Sequence, residues 1–253
     1  TQRHAPMAGH NKWSKIRHRK AAVEKKKTKA WTKIAKTIIV AARHGGPDPN
    51  SNLALRYAMD EARYANMPRD TVDRAIRKGA GGEDTSDYEN IRYEGYAPGG
   101  VAIIIDALTD NRARTVGDVR LAFSDHDGNV GASGCVAYMF QPRGQIVISG
   151  DGLTDESVMN AAIEAGAIDV ESMTEEGSDE TPSWMVLTDP SNFAQVKVAL
   201  EKAKLPIANA ALGFVPETFV AVTGEHATLI SNLIDALEDL DDVQKVYTNA
   251  EFA

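Results

Sequence analysis

Apolar positions between residues 22 and 43 recur at steps of three and four: Val23, Ala30, Trp31, Ile34, Ile38 and Ala41. That spacing predicts an amphipathic helix. The run His44-Gly45-Gly46-Pro47 stops it, with glycine past the end and proline beyond. Asp48, Asn50 and Ser51 are N-cap types for a second helix, whose buried face is marked by Leu55, Ala58, Met59, Ala62 and Ala65. Pro68 suits the first turn of a third helix, Asp70 favours its positive end, and Val72, Ala75 and Ile76 form its apolar side. Gly79 ends it, and the stretch from Gly79 to Asp87 reads as a linker.

Beyond the linker the pattern changes. Residues 91–96 and 101–108 read as strands joined at Ala97-Pro98-Gly99-Gly100, residues 112–124 as a helix, and 136–140 as a short strand. There follow a strand at 145–149, a helix at 154–165, strands at 167–172 and 183–187, a helix at 191–203 and a strand at 208–215. That β-α-β-β-α-β order is the ferredoxin-like supersecondary sequence. A strand at 218–222, a helix at 227–240 and a strand at 243–248 complete the chain. The predicted fold class is α+β and multidomain. A three-helix domain over residues 1–85 precedes two αβ sandwiches. One is discontinuous, built from 86–140 and 217–253, and the ferredoxin-like one, 141–216, is inserted into it. Residues 1–6 precede Met7, lack periodicity and read as a tag or unstructured extension.

Charge sharpens this division. Residues 1–80 carry 19 Lys+Arg against 6 Asp+Glu, a net +13, whereas residues 81–253 carry 9 against 30, a net −21. A basic head on an acidic body points to a polyanionic partner for the head. The competing reading is a head that docks on its own acidic body. The 43% hydrophobic and 25% charged content is that of a globular protein. No apolar run is long enough for a membrane span, and no secretion signal is evident. The single cysteine, Cys135, leaves no internal disulfide framework, so a cytoplasmic setting is expected.

A helical wheel locates the candidate chemistry. Lys25, Lys26, Lys29, Lys33, Lys36 and Arg43 gather on one arc of about 100° of the first helix, opposite Ala30, Ile34, Ile38 and Trp31. Lys27 and Val40 break the pattern. Six cations on one ridge suit phosphates spaced along a backbone. Ahead of the ridge, Lys12, Trp13, Lys15, Arg17, His18, Arg19 and Lys20 interleave cations with an aromatic side chain. Trp13 could stack on a base, although a lone Trp beside Ile16 is more often a hydrophobic anchor. These thirteen positions are the expected nucleic-acid contacts. They carry no helix-turn-helix, zinc-finger or RNP1 signature, so DNA and RNA stay open.

The stretch from Met7 to Ala22, including His10-Asn11-Lys12-Trp13-Ser14-Lys15-Ile16-Arg17-His18-Arg19-Lys20, resembles the opening motif of the YebC/PmpR family. The likeness continues through Ala41–Pro49, Asn66-Met67-Pro68-Arg69-Asp70, Arg74-Ala75-Ile76-Arg77-Lys78-Gly79-Ala80-Gly81, Tyr93–Gly100 and Val136-Ala137-Tyr138-Met139-Phe140. Asn11 and Cys135 stand where serine is usual. The resemblance implies a helical domain followed by two αβ domains, in a cytosolic DNA-binding transcriptional regulator. Some relatives, a mitochondrial translational activator among them, act in translation, which makes a ribosome- or RNA-binding factor the alternative. The resemblance places no catalytic residue.

Other motifs are set aside. Gly79-Ala80-Gly81-Gly82 lacks the Gly-Lys-Ser/Thr ending of a phosphate cradle. Gly131-Ala132-Ser133-Gly134-Cys135 lacks the strand-turn-helix setting of a nucleophile. Asp125-His126-Asp127 are adjacent, a spacing one metal rarely uses. The acids at 238–242 read as a solvated helix end and turn. The expectation is therefore a protein without catalytic, metal or cofactor sites. Its expected partner is DNA or, in the alternative, ribosomal RNA and the ribosome, with no membrane involved.

Overall fold

The computed structural model describes residues 23–81, 87–174 and 181–252, with side chains from residue 29 onward in the first segment. The described residues form an α+β protein. Helix α1 spans Val23–Gly45, α2 Leu53–Tyr64 and α3 Arg69–Ala80. Gly46, at φ +83°, closes α1 by donating its N–H to the Ala42 carbonyl at 3.0 Å, the left-handed ending that glycine adopts without strain. The expected N-cap residues of α2 are corrected to Asn52. Its Oδ1 accepts from the Leu55 N–H at 3.1 Å, while its Nδ2 donates to the Ala41 and Gly46 carbonyls at 2.7 and 2.8 Å. The amide combines one acceptor with two N–H donors, so one buried side chain starts α2 and satisfies the end of α1; an ionised Asp has no donor and a Ser hydroxyl only one. Pro68 precedes α3 as its N-cap residue rather than lying in its first turn.

The three helices close on Ile34, Ile38, Leu55, Ala58, Ala62, Val72 and Ala75. Trp31 packs beside this core and donates its indole N–H to the Ala65 carbonyl at 3.0 Å. Helices α1 and α3 cross very closely. A Cβ on Gly79 would sit 2.3 Å from the Ile39 carbonyl oxygen and 2.9 Å from Ala42 Cβ.

Strands β1 (Glu89–Ala97) and β2 (Val101–Thr109) form an antiparallel hairpin, with Glu89 opposite Thr109 and Ala97 opposite Val101. Helix α4, Arg112–Ser124, follows Asn111, whose side chain caps the Arg114 N–H. A short β3, Asn129–Val130, pairs with β1. The strand expected at 136–140 is corrected: Ala137–Met139 is a 3-10 turn, and β4 runs Phe140–Ser149. The buried Glu94 carboxylate accepts from the N–H groups of Gly134, Val136 and Ala137 at 2.8–2.9 Å. Those donors are thereby lost to any ladder.

Helix α5 (Asp155–Ala165), β5 (Asp169–Ser172), β6 (Ser183–Thr188), α6 (Phe193–Lys202) and β7 (Ile207–Pro216) follow. With β4 they make a four-stranded sheet ordered β5-β6-β4-β7, the ferredoxin-like order. A Thr154/Ser157 capping box opens α5, and Ile146, Ile148, Val186, Val158, Val196 and Leu200 are almost wholly buried. Then come β8 (Val220–Val222), α7 (Gly224–Glu238), β9 (Val243–Thr248) and β10 (Ala250–Phe252). Strand β9 pairs with β2, giving a second sheet ordered β3-β1-β2-β9, and β10 runs parallel to β8. Ile103, Ile105, Val119, Phe123, Ile230, Leu233 and Leu237 join that sheet to α4 and α7. Two compact units result: residues 142–214, and residues 23–141 together with 215–252.

Candidate nucleic-acid interface

Lys29, Lys33 and Lys36 of α1 meet protein carboxylates and carbonyls. Lys29 donates to the Asp239 carbonyl, with its Nζ 3.6 Å from the Asp239 carboxylate and 3.8 Å from that of Asp241. Lys33 donates to the Glu238 carbonyl at 2.6 Å. Lys36 donates to the Asp241 carbonyl and the Asp242 carboxylate, each at 3.2 Å. The acceptors are the end of α7 and the turn after it. A helix C-terminus leaves carbonyls without intrahelical partners and carries the negative end of the dipole, so three ammonium groups there satisfy both.

Val40 shares this arc of α1 and is only 8% exposed, while Thr37, at the edge of the arc, donates to Gln244 Oε1 on β9 at 3.3 Å. An arc that buries a valine and reaches a strand is a packing face. Lys36 also lies 6.0 Å from the Tyr88 ring centroid.

Asp242 anchors the contact. Its side chain is 7% exposed and accepts from Lys36, Arg114, Thr109 and Thr115. Burial pushes its carboxyl upward, but hydrogen bonds from Arg114, Thr115 and Lys36 outweigh that and hold it below the usual range. An open cavity of about 600 Å³ lies here, lined by Lys29, Lys36 and Arg114 alongside Asp118, Asp239 and Asp241. Its mixed charges give it no net pull on a polyanion.

Lys33 titrates unusually. Burial brings its ammonium down to about 8, Lys29 adds repulsion, and the attraction of Glu238, Asp239 and Asp241 counters only in part. Between pH about 8 and 10.5 the unfolded chain holds the Lys33 proton more tightly than the folded one, so this group adds stability as pH rises through that window. Unfolding measured against pH should show wild type gaining on Lys33→Met across that window. A constant difference between the two proteins would contradict the desolvation of this half-buried ammonium.

The other expected contacts are distributed as follows. Lys12, Trp13, Lys15, Arg17, His18, Arg19 and Lys20 lie outside the described residues. Lys25 and Lys26 are on the first turns of α1, with side chains outside the described set. Arg43 is half-buried in the last turn of α1. Periodicity on α1 alone overlooked the exposed cations of the neighbouring helices: Arg56 and Arg63 on α2, and Arg69, Arg74, Arg77 and Lys78 on α3. The same wheel applied to α3 would have found the last three on one face.

The remaining motifs have structural roles. His126 Nδ1 contacts the Ala122 carbonyl at 2.8 Å, closing α4. The Gly131–Cys135 loop is held by Glu94, and Tyr96 donates to the Cys135 carbonyl at 2.8 Å. Burial and the Glu94 charge push the Cys135 thiol upward, away from the reactive thiolate. Among the described residues no group of three His, Cys, Asp or Glu is placed to hold a metal, and no helix is long and apolar enough to cross a membrane.

Comparison with known proteins gives consistent matches. Residues 11–82 match the family model described as the TACO1/YebC protein N-terminal domain, and residues 88–250 the one described as the TACO1/YebC second and third domain. A probable transcriptional regulatory protein of Geobacter sulfurreducens is 48% identical over 247 residues, covering 98% of this chain and 97% of that one. One from Burkholderia mallei is 52% identical over 244 residues, covering 96% and 98%. The crystal structure of a conserved hypothetical protein from Aquifex aeolicus superposes with a TM-score of 0.82 at 42% identity, over 91% of this chain and 93% of that one.

Proposed function

The chain belongs to the TACO1/YebC family, and from that premise we propose that it is a non-enzymatic regulator of gene expression that binds nucleic acid, acting as a DNA-binding transcriptional regulator. The observation that carries the reading is the charge division, +13 over residues 1–80 against −21 over the rest. The relatives' description as probable transcriptional regulatory proteins supports the regulatory half of it. Phosphate contacts fall in this reading to Lys12, Lys15, Arg17, Arg19, Lys20, Lys25, Lys26 and Arg43, with Trp13 and His18 among them. Lys29, Lys33 and Lys36 join only where the end of α7 releases them.

Binding of the full chain to duplex DNA across a salt series tests this. With about six phosphates engaged, log K should fall against log salt with a slope of about −5. Affinity unchanged between about 50 and 200 mM salt would overturn a phosphate-driven mode. Competition with an RNA duplex that displaces the DNA at far lower concentration would move the reading to RNA.

A further inference from the structure

We propose that the outward face of α3, carrying Arg74, Arg77 and Lys78, is a second phosphate-contact surface for duplex nucleic acid; the proposal rests on the nucleic-acid reading above. The three positions follow the three- and four-residue steps of one helix face, and all three side chains are exposed. The opposite face is buried through Val72, Ala75 and Gly79.

The charge on this face is one-sided where it matters. The acids of α3, Asp70 and Asp73, lie in its N-terminal half, and Asp73 faces Arg69 at 4.0 Å. From Arg74 to Gly82 the chain has no acidic residue. Arg74 is also preset. Its Nε donates to the Asp70 carbonyl and one Nη to Thr71 Oγ1, both at 3.2 Å, which fixes the guanidinium on the helix surface. A guanidinium has five N–H donors in a planar fork, so donors remain for a phosphate after those two bonds.

Placement separates this face from the acids that occupy Lys29, Lys33 and Lys36. Helix α3 crosses α1 at Ile39 and Ala42. On the α1 wheel those residues lie about 140° from the centre of the arc that meets α7 and β9. The exposed side of α3 points further out still. The same crossing sets the last turn of α3 beside the end of α1, where Arg43 lies, so cations from two helices share one end of the bundle.

The occupant follows from composition. The ridge carries two guanidinium groups and one ammonium, and between Arg74 and Lys78 no large apolar side chain is exposed. A protein partner would need a buried apolar or aromatic anchor. A phosphate backbone needs only charge and hydrogen-bond donors.

The test uses the full chain and duplex DNA of one fixed length. Replacing the three residues together, as R74Q/R77Q/K78Q, keeps good helix formers and removes three charges. The salt slope should become shallower by up to about 2.7, and by about 0.9 for Arg77→Gln alone. The charge-keeping R74K/R77K variant should retain the wild-type slope. Wild-type protein that binds with the expected slope, beside a triple variant with the same slope and affinity, would overturn this surface and leave the functional reading standing. Wild-type protein that shows no salt-dependent binding would overturn the functional reading and this surface with it. If the triple variant were to lose its fold, Arg77→Gln alone would decide: an unchanged slope rejects the surface.

Discussion

Gly79→Ala should destabilise the helical part of the molecule by about 2–3 kcal/mol. Glycine inside a helix ordinarily costs about 1 kcal/mol relative to alanine, so helix propensity alone would make this change favourable. Packing reverses the sign. The added Cβ would lie 2.3 Å from the Ile39 carbonyl oxygen, 2.9 Å from Ala42 Cβ and 3.1 Å from the Ile39 carbonyl carbon. None of these is the end of a flexible side chain, so α1 and α3 must move apart. That movement loosens Ile38, Ala42, Val72 and Ala75 together. Overpacking of this kind costs about 1–3 kcal/mol, occasionally more, and rigid backbone on the receiving side puts it at or above the upper end before the propensity gain is subtracted. Urea unfolding of the full chain, followed through helical circular dichroism, measures the effect. A variant as stable as wild type would mean that the two helices do not cross at this distance.

Asp242→Asn should cost about 3 kcal/mol, the lower end of what removing one partner of a buried ion pair produces, because Arg114 is itself half-exposed. The neutral amide would leave Lys36 and Arg114 facing a group without charge, and Thr109 and Thr115 with one acceptor oxygen fewer. The pH dependence has a definite sign. A carboxyl held below its ordinary value contributes stability above that value and loses it as pH falls through the lowered folded one. Wild type should therefore lose its advantage over the Asn variant in acid and keep it at neutral pH. An advantage that is the same at pH about 2 and pH about 7 would refute the charge-based account.

Much of the architecture was readable from spacing alone. The boundaries of α4 and β9 coincide with the expected 112–124 and 243–248. Asn52 was missed because its second role, closing α1 across the intervening turn, is a tertiary contact with no local signature. The strand expected at 136–140 failed because the Glu94 carboxylate, 42 and 43 residues away, captures the N–H groups of Val136 and Ala137. At the candidate interface, the wheel grouped Lys29, Lys33 and Lys36 correctly on one face of α1, but did not say what that face meets. Val40 was the available signal, since a buried valine within a cationic arc marks a packed surface. The acids at 238–242, taken for a solvated end, supply its acceptors.

The pairing of α1 with the end of α7 joins residues more than two hundred positions apart: 210 for Lys29 with Asp239, 205 for Lys33 with Glu238 and 206 for Lys36 with Asp242. Chains are synthesised from the N-terminus, and domains fold as their residues emerge. The three-helix core is complete once α3 has been made, and the ferredoxin-like sheet once β7 has. The sheet of the discontinuous part must wait for β9, since β2 takes Thr248 opposite Ile103. For most of its synthesis the nascent protein therefore presents the three lysines with none of their acidic partners yet made. The last stretch of chain to be made thus supplies both the β9 strand that pairs with β2 and the acceptors that cover the lysine face of α1.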